Sequence, residues 1–256
     1  MRTSLGTMVL LLLETSVGGL ALLWAAPLWG VVRPGFFKLA GAVITVCAAC
    51  AWAAGRSALD GAGGPAAPAV DALGVFALML AAWQVLLYAR QRAVARWVGI
   101  AALLPGLAAT VLLAQVGGRP LLGLAALLAG ALFLGATVDG LLLGHWYLVD
   151  RRLGNRPIVV LAGWLLAGVA AAVLSAVLGG EPKGSAPNPA LSPLLAIPGL
   201  TVWLAIGFVA VVGLLAWFIR VLVRGGSIQA ATGMFYLAVV MAVAAEFSAK
   251  VYFFAG

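Results

Sequence analysis

PLLGLAALLAGALFLGATVDGLLLGHWYLVD, residues 120–150, decides the fold. From Pro120 to Val149 it holds one acidic side chain, Asp139, and one histidine, His145. A helix rises 1.5 Å per residue, so about 20 apolar residues cross the roughly 30 Å hydrocarbon core of a bilayer. The apolar residues run on without the alternation that a membrane β-strand shows, so the segment reads as a spanning helix. It exceeds the minimum span, so it must tilt or project beyond the membrane.

Working outward, similar runs occur at 7–32, 36–54, 70–89, 95–115, 158–179, 194–219 and 228–255. With 120–149 they predict about eight spanning helices in a single transmembrane domain over residues 1–256. The first run is too long for the apolar region of a signal peptide and is read as the first span. The breaks carry turn residues: Arg33-Pro34-Gly35, Gly61 to Pro65, Gly117-Gly118-Arg119-Pro120, and Gly154 to Pro157. The segment 180–193, with Pro182, Pro187, Pro189 and Pro193, reads as a loop. Pro105 and Pro198 are candidate kinks in the fourth and seventh spans. No internal repeat and no extramembrane domain is visible.

The composition supports an all-α membrane bundle. The 256 residues are 65% hydrophobic and 9% charged, against about 25% charged in a soluble domain. Mean hydropathy is +1.17. The 33 glycines suit close helix contact in lipid. A net charge of +8 raises the question of nucleic acid. Here the basic residues lie between apolar runs, so topology accounts for them and no nucleic-acid partner is expected. Of the 15 Lys and Arg, ten fall after odd-numbered spans: Arg33, Lys38, Arg90, Arg92, Arg96, Arg151, Arg152, Arg156, Arg220 and Arg224. The more basic side faces the cytoplasm, which puts both termini outside.

Ionisable groups inside spans are expensive and need a partner or a purpose. Glu14 and Glu246 lie in the expected outer halves of the first and last spans. Lys250 follows Glu246 by one turn, on the same face. Thr232, Tyr236, Glu246 and Lys250 share one side of the last span; Glu14, Gly18, Ala21 and Ala25 share one side of the first. A polar cluster between these two spans is therefore expected. Two readings stay open for it: a packing salt bridge, or a proton-carrying site. The second draws on the surplus carboxylate, since two carboxylates share one lysine.

Asp139, Trp146 and Asp150 fall on one stripe of the fifth span, with His145 about a third of a turn away. Gly140 and Gly144 form a G-x-x-x-G, a signal for a tight helix contact. His145, Trp146 and Tyr147 read either as an interfacial anchor or as a headgroup site. In the latter, the histidine would bond a carbonyl and the aromatics would pack on a ring. Cys47 and Cys50 form a C-x-x-C inside the second span. Redox use would need further cysteines, and the chain has none, so they read as small packing residues. With one histidine, no haem or metal site built by this chain alone is expected. There is no P-loop, dinucleotide fingerprint, H-E-x-x-H or nucleophile elbow.

In its eight spans, outer termini and the buried carboxylates Glu14 and Glu246, the chain resembles the membrane-anchor subunits of polysulfide-reductase-type complexes. That resemblance implies a non-haem subunit of a bacterial respiratory complex in the cytoplasmic membrane. It would interact with quinone or quinol and dock partner subunits that carry the redox centres. The expected quinone-binding or proton-relay residues are Glu14, Glu246, Lys250, Tyr236, Asp139, His145 and Trp146. The chain departs from quinone sites with a histidine in the outer half, because His145 is expected near the cytoplasmic face. The alternative is a transporter or proton-conducting subunit with Glu14, Asp139 and Glu246 as relay groups.

Overall fold

The computed structural model describes residues 2–26, 28–150, 152–179 and 199–254. Nine helices are present among them: α1 (Arg2–Ala25), α2 (Pro34–Ala58), α3 (Ala66–Tyr88), α4 (Arg92–Ala101), α5 (Leu103–Val116), α6 (Pro120–Val149), α7 (Arg156–Gly179), α8 (Leu200–Arg224) and α9 (Ile228–Lys250). They make eight membrane-length apolar segments, because α4 and α5 together form one crossing, Arg92–Val116. The protein is a polytopic transmembrane helix bundle.

Its polarity is that of a lipid-solvated protein. Leu104 and Trp203 are each 71% exposed, whereas Glu14, Asp139, Glu246 and Lys250 are buried. Leu, Val and Trp can face lipid at no cost, so the interior is left to small residues for close packing and to the polar groups. α1 is the most enclosed crossing, 67% buried, and α8 the least, 28%. α1 packs on α2, α5, α6 and α9, while α6 also packs on α7 and α9.

The α1–α6 seam depends on missing side chains. A Cβ at Gly18 would overlap the Ala131 carbonyl, and one at Gly135 would lie 2.6 Å from the Gly19 nitrogen. Both helices run in the same direction, since residues near 14 meet those near 130 and Gly19 meets Asp139. The G-x-x-x-G of α6 seats α9: Gly140 faces the Phe235 ring and Gly144 faces Thr232.

Several boundaries differ from those expected. The first helix ends at Ala25 rather than 32, because helical backbone is disfavoured at a residue preceding proline, here Ala26 before Pro27. Residues 28–32 form a tight turn, with the Val32 N–H donating to the Leu28 carbonyl at 2.9 Å. The aromatic cluster of Trp24, Trp29 and Phe37 holds that turn, with ring centroids 4.8 and 4.7 Å apart. The fourth crossing breaks at Ala102. Pro105 has no N–H to return to the Ala101 carbonyl, and that missing bond accounts for the break. The last helix ends at Lys250, five residues short of the expected limit. The seventh crossing begins at Leu200; Pro198 and the loop 180–193 lie outside the described residues.

Candidate functional site

Glu14, Glu246 and Lys250 form one buried ionic cluster at the junction of α1, α6 and α9. Lys250 Nζ lies 2.5 Å from Glu14 Oε1 and donates to Glu246 Oε2 one turn back on its own helix. Their relative exposures are 1% for Glu14, 3% for Glu246 and 2% for Lys250. The direction of helical side chains explains why groups at different levels meet. Cα–Cβ bonds tilt toward a helix N-terminus, and α1 and α9 are antiparallel. Glu14 therefore leans toward the end of the bundle where α9 finishes, while Lys250 leans inward to reach it.

As expected, the first and last spans bring Glu14, Glu246 and Lys250 into direct contact. Glu246 is one turn from the end of α9, whereas Glu14 lies near the middle of α1, and the lean of the side chains brings their carboxylates to one ammonium.

Three supporting features were not singled out from the sequence. Gly130 of α6 forms the wall: a Cβ there would lie 2.7 Å from Glu14 Oε1. The Thr7 hydroxyl donates to the Lys250 carbonyl at 3.3 Å, satisfying one of the carbonyls left open at the end of α9. In the turn after α9, Phe253 packs at Gly117 and Gly123, and Phe254 packs at Gly6. These aromatics close the end of the bundle beyond the lysine. Single glycines and phenylalanines in an apolar chain carry no signal of such a role.

The cluster holds two carboxylates and one ammonium, with Glu14 Oε2 lacking a hydrogen-bond partner among the described residues. A buried charge without a counter-charge is costly, and the cluster has one carboxylate more than it has ammonium groups.

Asp139 is a further buried carboxylate, nine residues from Gly130 along α6 and so roughly 13 Å further through the membrane. It is fully buried, and neither of its oxygens has a hydrogen-bond partner among the described residues. It faces α1, where a Cβ at Gly19 would lie 3.4 Å from Oδ1. Neighbouring hydroxyls are turned to their own helices: Thr137 donates to the Phe133 carbonyl and Ser16 to that of Leu12.

Tyr236 does not belong to the Glu14 cluster, contrary to expectation. Its side chain is exposed, and its hydroxyl lies 3.4 Å from Nδ1 of the exposed His145. Thr232 is likewise remote from the cluster, donating to the Ile228 carbonyl at 2.9 Å. A common helical stripe places residues on one face but says nothing of depth: ten residues from Tyr236 to Glu246 span about 15 Å.

Trp146 turns away from His145. Its indole packs against Gly35 and Phe36 at the start of α2. On the same stripe, Asp150 Oδ2 pairs with Arg33 Nε at 3.1 Å. This pair joins the α1–α2 and α6–α7 connections at one end of the bundle. Cys47 and Cys50 are free thiols on α2, and Cys50 is exposed. Among the described residues no three His, Cys, Asp or Glu side chains converge as a metal site.

The structure thus groups buried charged side chains at the Glu14–Lys250–Glu246 cluster and at Asp139, both on the α1–α6 seam, with the hydrogen-bonded His145–Tyr236 pair facing outward. No family model, curated protein or solved structure matches this chain.

Proposed function

We propose that this chain is a proton-handling, non-haem membrane subunit of a bacterial respiratory or redox complex that interacts with quinone or quinol. The observation that carries this reading is the buried cluster, in which one ammonium bridges two carboxylates from the first and last helices. A purely structural pair needs one acid and one base. The additional carboxylate gives the membrane interior a site that can accept and release a proton, the step that oxidation of a quinol requires. The basic loops set the orientation in this reading: the end bearing Arg33, Arg152 and Arg224 faces the cytoplasm, both termini lie outside, and a quinol-derived proton leaves by the cluster. Partner subunits would supply the redox centres, as in the polysulfide-reductase-type complexes whose anchor subunits the chain resembles in architecture.

The test is mass-spectrometric detection of co-purifying quinone, followed by quinol-linked turnover of Glu14→Gln and Glu246→Gln complexes. Slower turnover at normal assembly supports the reading. Defective assembly with normal turnover per assembled complex shows the cluster to be packing alone.

Asp139 favours a second reading, a proton-conducting or transporting subunit. A carboxyl fully buried on the same seam without a hydrogen-bond partner among the described residues is a natural relay between the cluster and the other membrane face. In liposomes carrying a pH-sensitive dye and the isolated chain, this reading expects proton flux that Asp139→Asn lowers at least tenfold. Absence of flux in the wild type excludes it.

A further inference from the structure

The His145–Tyr236 pair faces outward between α6 and α9. His145 lies four residues before the end of α6 at Val149, a rise of about 6 Å, and Tyr236 lies eight residues after the start of α9 at Ile228, about 12 Å. α6 is longer than the hydrocarbon core of a bilayer, so these positions place the pair at the expected membrane boundary. It is also rigidly mounted, because Gly144 and Gly140 bring α6 directly against Thr232 and Phe235 of α9.

A neutral imidazole carries one N–H donor and one acceptor nitrogen, and a phenol carries one O–H. The contact between Nδ1 and the hydroxyl uses one of these two donors. If tyrosine donates, the histidine N–H at Nε2 stays free; if histidine donates, the tyrosine O–H stays free. Either way one donor is open toward the membrane. Leu148 and Val240 are exposed on the two helices and, because α6 and α9 run antiparallel, lie on opposite sides of the pair, so the outward surface above and below it is apolar.

We propose that His145 and Tyr236 form a binding site for a carbonyl oxygen of a molecule dissolved in the bilayer, a quinone ring in the cytoplasmic leaflet. This rests on the quinone reading above and assigns it a place distinct from the buried cluster. Phospholipid ester carbonyls offer the same acceptor and are separated from quinone by the test.

His145 is the only histidine in the sequence, so selective 15N-histidine labelling of the full chain, purified without a histidine tag, gives one imidazole spin system. The chain is placed in nanodiscs of ether-linked phospholipid, which lacks carbonyls, and titrated with decylubiquinone. Quenching of tryptophan fluorescence reports total quinone binding in parallel. The proposal expects a saturable shift of the His145 ring signals, and about tenfold weaker binding in Tyr236→Phe, equal to about 1.4 kcal/mol. Both side chains are exposed, so Tyr236→Phe and His145→Gln should leave the fold intact, as checked by their melting temperatures. Quinone binding by fluorescence with no His145 response overturns this site alone. A His145 response to ester-linked lipid but not to quinone assigns the pair to lipid anchoring and overturns it too. No quinone binding by any measure overturns both this site and the quinone reading.

Discussion

Replacing Lys250 by methionine removes the only ammonium in the cluster while keeping a side chain of similar length. In the wild-type protein Lys250 contacts both Glu14 and Glu246, and all three are buried. The substitution leaves two carboxylates together with no counter-charge. Breaking a buried pair by deleting one partner costs about 3–5 kcal/mol, and a loss in that range is expected. The assay is reversible unfolding in mixed micelles, followed by tryptophan fluorescence. The loss should be nearly insensitive to ionic strength, because a buried cluster is poorly screened. Neutralising the acids as well, in Lys250→Met with Glu14→Gln and Glu246→Gln, should recover most of the stability, since removing a buried ionic group entirely is far less harmful than removing half of it. A Lys250→Met protein within about 1 kcal/mol of wild type, below the whole range for a broken buried pair, would refute the reasoning. So would a triple variant no more stable than the single one.

Other expectations follow from the packing and the charge distribution. Gly135→Val should push α1 from α6, because a Cβ at Gly135 already falls 2.6 Å from the Gly19 nitrogen; a destabilisation of about 1–3 kcal/mol or more is expected in the same unfolding assay. Arg33→Ala should cost about 1–3 kcal/mol, because Asp150, whose side chain is only 8% exposed, loses the group it pairs with; a loss below about 0.5 kcal/mol in the same assay would contradict this. For orientation, a cysteine at Arg152 in a Cys47→Ala, Cys50→Ala background should resist an impermeant thiol reagent in intact cells and react in inverted vesicles. Labelling in intact cells would reverse the assigned topology.

Much of this architecture was legible in the amino-acid order. Continuous apolar runs of membrane length must be helices, because a backbone in hydrocarbon has to satisfy its own hydrogen bonds. The eight crossings could be read for that local reason, and so could the Glu246–Lys250 pair, which helix geometry places one turn apart. Separation of His145 from the Asp139 stripe was also readable from the helical period.

What the linear order could not carry was the choice of neighbours and the relative depth of side chains. In lipid, one apolar helix face is nearly as acceptable as another, so pairing is decided by close steric fit. Gly18, Gly130 and Gly135 are three among many glycines until α1 and α6 are brought together. Tyr236 shares a stripe with Lys250, yet it ends beside His145, because each helix reads out an angle locally while its axial register is set by the helix it packs against. The tertiary structure supplied the direct contacts of the expected Glu14–Lys250–Glu246 cluster, set Gly130 against it and left Asp139 buried without a hydrogen-bond partner among the described residues. Those arrangements arise where three separately formed helices meet, and short-range sequence spacing contains no term for that meeting.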